Sequence, residues 1–176
     1  MSNLNAEVLN ETNGHKTILF SGNKGPKTIT WEQTKQMAFE LNEEGYDVAF
    51  LPELSEGTCA DSLIKSGGIY KIVDFKHCTT KKANTLIMDL VHGFQQANTI
   101  VLKLLNMDAG TFKSAIEYLL RNNLPFGDII LLNKYGKKIQ LSKKRLPYLY
   151  IQEKDQRISI KKKREAFASL NLEPSD

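Results

Sequence analysis

Asp61, Asp74 and Lys76 are the residues whose types and spacing could do chemistry. They fall in the stretch 59–76, Cys-Ala-Asp-Ser-Leu-Ile-Lys-Ser-Gly-Gly-Ile-Tyr-Lys-Ile-Val-Asp-Phe-Lys. Gly67-Gly68 is a hairpin-turn signal, because glycine reaches positive φ without steric cost. With a two-residue loop, Ser66 pairs with Ile69, and counting along the ladder sets Asp61 directly opposite Asp74. Opposed residues share a sheet face with Cβ atoms roughly 5 Å apart, and the period of two keeps Lys76 on that face as well. Two ionised carboxylates that close repel each other unless a cation neutralises them or one stays protonated. Mg2+, or Mn2+ in its place, suits such a pair, since Mg2+ binds through one or two carboxylates and keeps several waters. A neighbouring lysine would position one of those waters and offset phosphate charge. That is the equipment of metal-assisted phosphodiester hydrolysis. Other loop lengths shift the register, and the competing reading is an exposed hairpin with scattered charges.

The elements that must position these residues follow from local pattern. Residues 1–15 are polar and read as loosely ordered. Residues 16–21 suggest a short edge strand, and 22–27 a loop. Thr28 or Thr30 caps a helix to about residue 43, with Gln33 placed as in a capping box; its apolar positions Trp31, Met37, Ala38 and Leu41 recur at helical spacing, and Gly45 ends it. A strand at 46–51 is stopped by Pro52. After the hairpin, a helix over 80–98 carries the stripe Leu86, Ile87, Leu90, Val91, Phe94 and Ala97. The near-continuous apolar run 99–105 predicts a strand buried on both faces. A helix at 110–123 and a hairpin from 128–134 to 137–141 follow. The expected fold is α/β (α+β): a mixed sheet flanked by helices, in which the 80–98 helix serves as a crossover between parallel strands.

Composition bounds the alternatives. A chain of 176 residues with 41% hydrophobic and 25% charged residues is read as one domain with a tail. It has no apolar run long enough to span a membrane and no signal-peptide pattern at residue 1, so a cytoplasmic location is expected. Cys59 and Cys78 read as free thiols, a bridge between them being the alternative. Net charge is only +4, but residues 137–164 hold eleven Lys or Arg against Glu153 and Asp155. That local excess of nine leaves the rest of the chain at −5. A basic segment on an acidic body is a footprint for polyanions, nucleic acid first. Its candidate contacts are Lys137, Lys138, Lys143, Lys144, Arg145, Lys161, Lys162, Lys163 and Arg164; a solvated tail is the other reading.

The αβββαβ order, with Ala60-Asp61, twelve intervening residues and Asp74-Phe75-Lys76, resembles the core of the PD-(D/E)XK nuclease superfamily. The resemblance implies Asp61 and Asp74 as metal ligands, Lys76 as the catalytic lysine, and the backbone carbonyl of Phe75 completing the ligand set. Ala60 replaces the proline of that motif, a residue that shapes the approach to the acid and is not a ligand. A narrower likeness covers residues 30–142. Gly45-Tyr46-Asp47-Val48, Leu51-Pro52-Glu53 and Gly93-Phe94-Gln95-Gln96-Ala97 look like the C-terminal nuclease domains of contact-dependent growth inhibition toxins, the CdiA tRNase type, and like related phage and mobile-element proteins. That likeness implies tRNA as substrate, with DNA second, and a cognate immunity protein as partner. A DNA endonuclease of a phage or mobile element and a non-catalytic nucleic-acid-binding module are the alternative functions. On this reading residues 1–27 are a polar N-terminal segment, 28–142 the nuclease-like domain and 143–176 the basic tail.

Four further residues belong to this expectation. Glu53, at a strand end, would be a third, outer metal ligand, or else a surface glutamate. Glu40 lies on the first helix, where this superfamily often places an acid near the metal; its neighbours Glu43 and Glu44 argue for a solvated face instead. Gln96 would hold a phosphate or a water near the site. His77 alternates to the other strand face from Lys76 and is read as structural or exposed.

Overall fold

Asn13 and Gly14 have φ of 53° and 80°, the left-handed pair that closes a two-residue hairpin. They turn β1 (Ala6–Thr12) back into β2 (His15–Phe20), with Thr12 opposite His15. The computed structural model describes residues 5–20, 29–51 and 62–139. Residues 6–12, expected to be loosely ordered, are therefore a strand, and β2 is an inner strand rather than an edge. The physical reason is a buried amide. Asn42 accepts hydrogen bonds at Oδ1 from Thr17 Oγ1 at 2.7 Å and Asn10 Nδ2 at 2.9 Å, and donates from Nδ2 to the Tyr46 carbonyl at 2.9 Å. This single side chain ties the hairpin to the helix that follows.

That helix is α1 (Ile29–Glu43). Thr30 lies inside it and not at its cap; Thr28 is outside the described residues. Gly45, at φ 91°, ends the helix, and the Tyr46 N–H reaches back to the Leu41 carbonyl at 3.0 Å. Then come β3 (Asp47–Phe50), β4 (Ser62–Ser66), β5 (Ile69–Cys78), α2 (Ala83–Gln96), β6 (Thr99–Leu104), α3 (Ala109–Arg121) and β7 (Asp128–Leu132). Asp108 caps α3, its carboxylate accepting from the Thr111 N–H and hydroxyl, each at 2.8 Å.

The seven strands form one mixed sheet in the order β1-β2-β3-β4-β5-β6-β7. β2/β3, β5/β6 and β6/β7 pair in parallel, the other neighbours antiparallel. The α/β class expected from the pattern holds, and the helix after β5 is the crossover to a parallel β6. The hairpin expected after residue 128 survives on its second arm as a bridge between Leu132 and Lys138, with residues 140 and 141 outside the described set. Two cores sandwich the sheet. On one side α1 packs Met37, Ala38 and Leu41 on Val48, Phe50, Ile64, Val73 and Val101. On the other, α2 and α3 pack Leu86, Leu90, Ile116 and Leu120 on Ile100, Leu102 and Leu131. Among the described residues no helix is long and apolar enough to cross a membrane.

Candidate hydrolytic site on β5

Alternation along β5 decides which side chains meet. Val73 is fully buried in the α1 core, so its neighbour Asp74 points to the opposite face, under α2. Lys76 follows on that same face. Its Nζ lies 2.9 Å from Asp74 Oδ2, and the two side chains are 25% and 16% exposed. Oδ2 is buried and, among the described residues, has no partner with hydrogen-bond geometry; the lysine neutralises it from an angle that satisfies charge and not direction. Such an oxygen is uncommon, because burial without a directional donor costs free energy. Gly93 of α2 is what lets the helix come this close. A Cβ there would stand 2.9 Å from Asp74 Oδ2 and 2.6 Å from Ile100 Cδ1.

The β4–β5 turn is the two-residue Gly67-Gly68 loop, with φ of 56° and 77°. Ser66 pairs with Ile69, and the register runs unbroken to Ser62 opposite Val73. Asp61 is the next residue, and it and Glu53 lie outside the described residues. So do Lys143, Lys144, Arg145, Lys161, Lys162, Lys163 and Arg164.

The remaining candidates separate. Glu40 is only 8% exposed, buried on the α1 side of the sheet, across the strands from Asp74. Its Oε1 accepts from Lys103 Nζ at 2.5 Å, and its Oε2 has no hydrogen-bond partner among the described residues. The solvated face suggested by Glu43 and Glu44 is thus corrected for Glu40, and the structure does not bring this acid to Asp74. Gln96 lines a cleft with Tyr70, Lys71, Ile72 and Asp128, toward the start of β5. Lys137 pairs with Glu43 at 2.9 Å, which raises its pKa, and Lys138 donates to the Tyr46 hydroxyl at 3.0 Å. Cys78 is a free, buried thiol, as expected, its pKa raised by that burial. Among the described residues no three His, Cys, Asp or Glu side chains gather to hold a metal ion.

Sequence reasoning missed the Glu40–Lys103 pair. Its signal was a lysine in the middle of an apolar run read as buried on both faces: such a cation needs a carboxylate. His77 belongs to the same cluster, opposite Lys103 in the β5/β6 register. Burial first, and then the charge of Lys103, lower its pKa from the ordinary value of 6.5, while Glu40 acts in the other direction. The unfolded chain therefore takes up this proton more readily than the folded one. The contribution is fully present above pH 6.5 and is lost as pH falls from there through the lower folded-state value. His77→Asn is expected to flatten the fall of the urea midpoint between about pH 7 and 5. A slope identical to that of the unsubstituted chain would show that His77 carries none of it.

No protein-family model matches the chain, and no curated protein matches it. Among solved structures it is similar to a chain of the CdiA-CT/CdiI toxin and immunity complex from Burkholderia pseudomallei. The identity is 21% and the TM-score 0.47, over 68% of this chain and 91% of that one.

Proposed function

We propose that this chain is a Mg2+-dependent nuclease whose reacting groups sit on the α2-facing side of β5. The observation that carries the reading is the buried Oδ2 of Asp74, without a directional donor among the described residues, beside the half-buried ammonium of Lys76. One further pair in the β4–β5 register would set Asp61 across from Asp74. Asp74 and Asp61 would then hold Mg2+, or Mn2+ in its place, with Glu53 as a candidate outer ligand; the bound ion supplies charge neutralisation at the phosphate. Asp74 fits that task, since one or two carboxylates suffice for Mg2+. Lys76 keeps part of its surface in solvent while its ammonium is anchored to Asp74. That posture suits a group that orients a water and balances phosphate charge. Phe75, between them, packs toward Phe50 with ring centroids 6.1 Å apart, which fixes the strand backbone that carries both groups.

The substrate class follows from charge and from the motif likeness. The basic segment 137–164 would track a phosphate backbone, with affinity falling as salt rises. tRNA is favoured on the resemblance of residues 30–142 to toxin nuclease domains, with a cognate immunity protein as partner and the cytoplasm of the producing or target cell as the place of action. The test is incubation with tRNA and with plasmid DNA, in Mg2+ and in chelator. Cleavage in Mg2+ that stops in chelator is expected. If both polymers stay intact in both conditions, the nuclease reading fails and the non-catalytic binding module takes its place.

A further inference from the structure

The face of β5 that carries Asp74 and Lys76 continues toward its start as Ile72 and Tyr70. Same-face residues follow one another about 7 Å apart along a strand. Tyr70 thus stands roughly 13 Å from Asp74 on a straight file. α2 covers the Asp74 end of this file and leaves the other end open. Tyr70 is 59% exposed and Ile72 54%. Between them and the last turn of α2 lies a cleft of about 380 Å³. Its wall includes Gln95, Gln96 and Asn98, and the side chains of these three carboxamides make no hydrogen bond with any described residue. Lys65 sits over the Tyr70 ring, its Nζ 5.0 Å from the centroid.

An exposed aromatic ring, an aliphatic floor and carboxamides without a partner among the described residues make a complementary set. The ring and the aliphatic side chain match a flat apolar surface. The carboxamides match an edge that alternates donors and acceptors. A nucleobase has both, and aromatic stacking plus edge hydrogen bonds is how unpaired bases are recognised. The volume is within the range of small-ligand sites. Lys65, over one face of the Tyr70 ring, adds a cation beside the cleft. A purely apolar ligand would leave three carboxamides desolvated and unsatisfied.

We propose that this cleft binds one nucleobase of a single-stranded segment, stacked on Tyr70 and read at its edge by Gln96, and that it sets which phosphate lies over Asp74. The proposal deepens the nuclease reading and rests on it for the second of those roles. It also moves Gln96 from a phosphate or water ligand to a base-reading residue.

The test separates binding from cleavage. Fluorescein-labelled RNA and DNA tetranucleotides of A, C and U or T are titrated by anisotropy in chelator, and cut positions are mapped on tRNA in Mg2+. Tyr70→Ala is expected to weaken tetranucleotide binding on the order of tenfold, and Tyr70→Phe to restore it, because stacking needs the ring and not the hydroxyl. Gln96→Leu is expected to change the ranking among the bases. Tyr70 is exposed enough that its removal opens no core cavity, and unchanged melting temperatures check this. Equal binding by wild type and Tyr70→Ala for every tetranucleotide, or no binding by wild type, overturns the cleft. If binding follows the expected pattern but nothing is cut, the cleft stands as a base site and the nuclease reading falls. If tRNA is cut and Tyr70→Ala alters neither affinity nor cut position, the cleft falls and the nuclease reading stands.

Discussion

Asp74→Asn is expected to reduce Mg2+-dependent cleavage by at least about a hundredfold while moving the melting temperature by only about a few degrees. The two halves have different causes. Metal-assisted charge neutralisation is worth several kcal/mol at the transition state, and each 1.4 kcal/mol or so is a factor of ten in rate. Asparagine keeps the shape of the side chain under Gly93 but removes the charge that would hold a divalent ion. Stability changes little because a neutral amide of the same shape replaces a carboxylate oxygen that is buried without a directional donor among the described residues, and this offsets the lost attraction to Lys76. Asp61→Asn is expected to show the same division, whereas Lys76→Met should lose cleavage and some stability as well, since it leaves the buried Asp74 oxygen without its cation. Cleavage rates measured on tRNA, beside thermal melts of the same samples, decide the matter. Variants that cut within about threefold of wild type would remove Asp74 and Lys76 from the chemistry.

The largest stability effect is expected on the other side of the sheet. Lys103→Met should destabilise the fold by about 3–5 kcal/mol, because it leaves the Glu40 carboxylate buried without its cation. Glu40 already has one oxygen with no hydrogen-bond partner among the described residues, and Gly136 packs so close that a Cβ there would fall 2.3 Å from Glu40 Cδ. The carboxylate has little room to turn toward water. The double variant Glu40→Leu, Lys103→Met should recover most of the loss, since apolar side chains of similar volume replace a pair whose desolvation offsets its attraction. Urea denaturation of the two single variants and the double variant gives the coupling. A single variant costing less than about 1 kcal/mol, or a double variant as unstable as the worse single, contradicts this account.

Much of the frame was legible because it is local. Gly67-Gly68 forces a two-residue turn, and with it the register that runs from Ser66 opposite Ile69 to Ser62 opposite Val73. The apolar run at 99–105 yields a strand buried on both faces, and the stripe from Leu86 to Leu90 yields the crossover helix. Asn13-Gly14 was equally local and equally legible. Its flanks Asn10, Glu11 and Thr12 are polar, and this hides the strand pattern on either side of the turn. Those flanks are polar because β1 is an edge strand and because Asn10 is used to bind Asn42. Lys103 in its apolar run signals the need for a buried carboxylate, but nothing in the sequence singles out Glu40 as that partner. Its neighbours in sequence are solvent-facing acids, and what makes it a core residue is a lysine 63 positions away. Pairings of that kind depend on which helix covers which sheet face, and no window of sequence contains that information. The site stands between these cases. The face shared by Asp74 and Lys76 follows from alternation, whereas the cleft with Gln96 depends on where α2 ends over β5.

The order of the seven strands leaves β1 and β7 as the two flanks of the sheet. A row of open backbone donors and acceptors invites another chain to add itself, and proteins that must stay dispersed at high concentration blunt such rows. β1 does so twice. Its pairing with β2 slips between Val8 and Asn10, which bends the strand, and Glu7 and Glu11 place charge along it. β7 is closed by its own chain: Leu132 is bridged by Lys138, and the Ile139 N–H donates to the Leu131 carbonyl at 2.9 Å. Among the described residues both flanks are thus blunted, which works against the stacking of identical copies into ribbons.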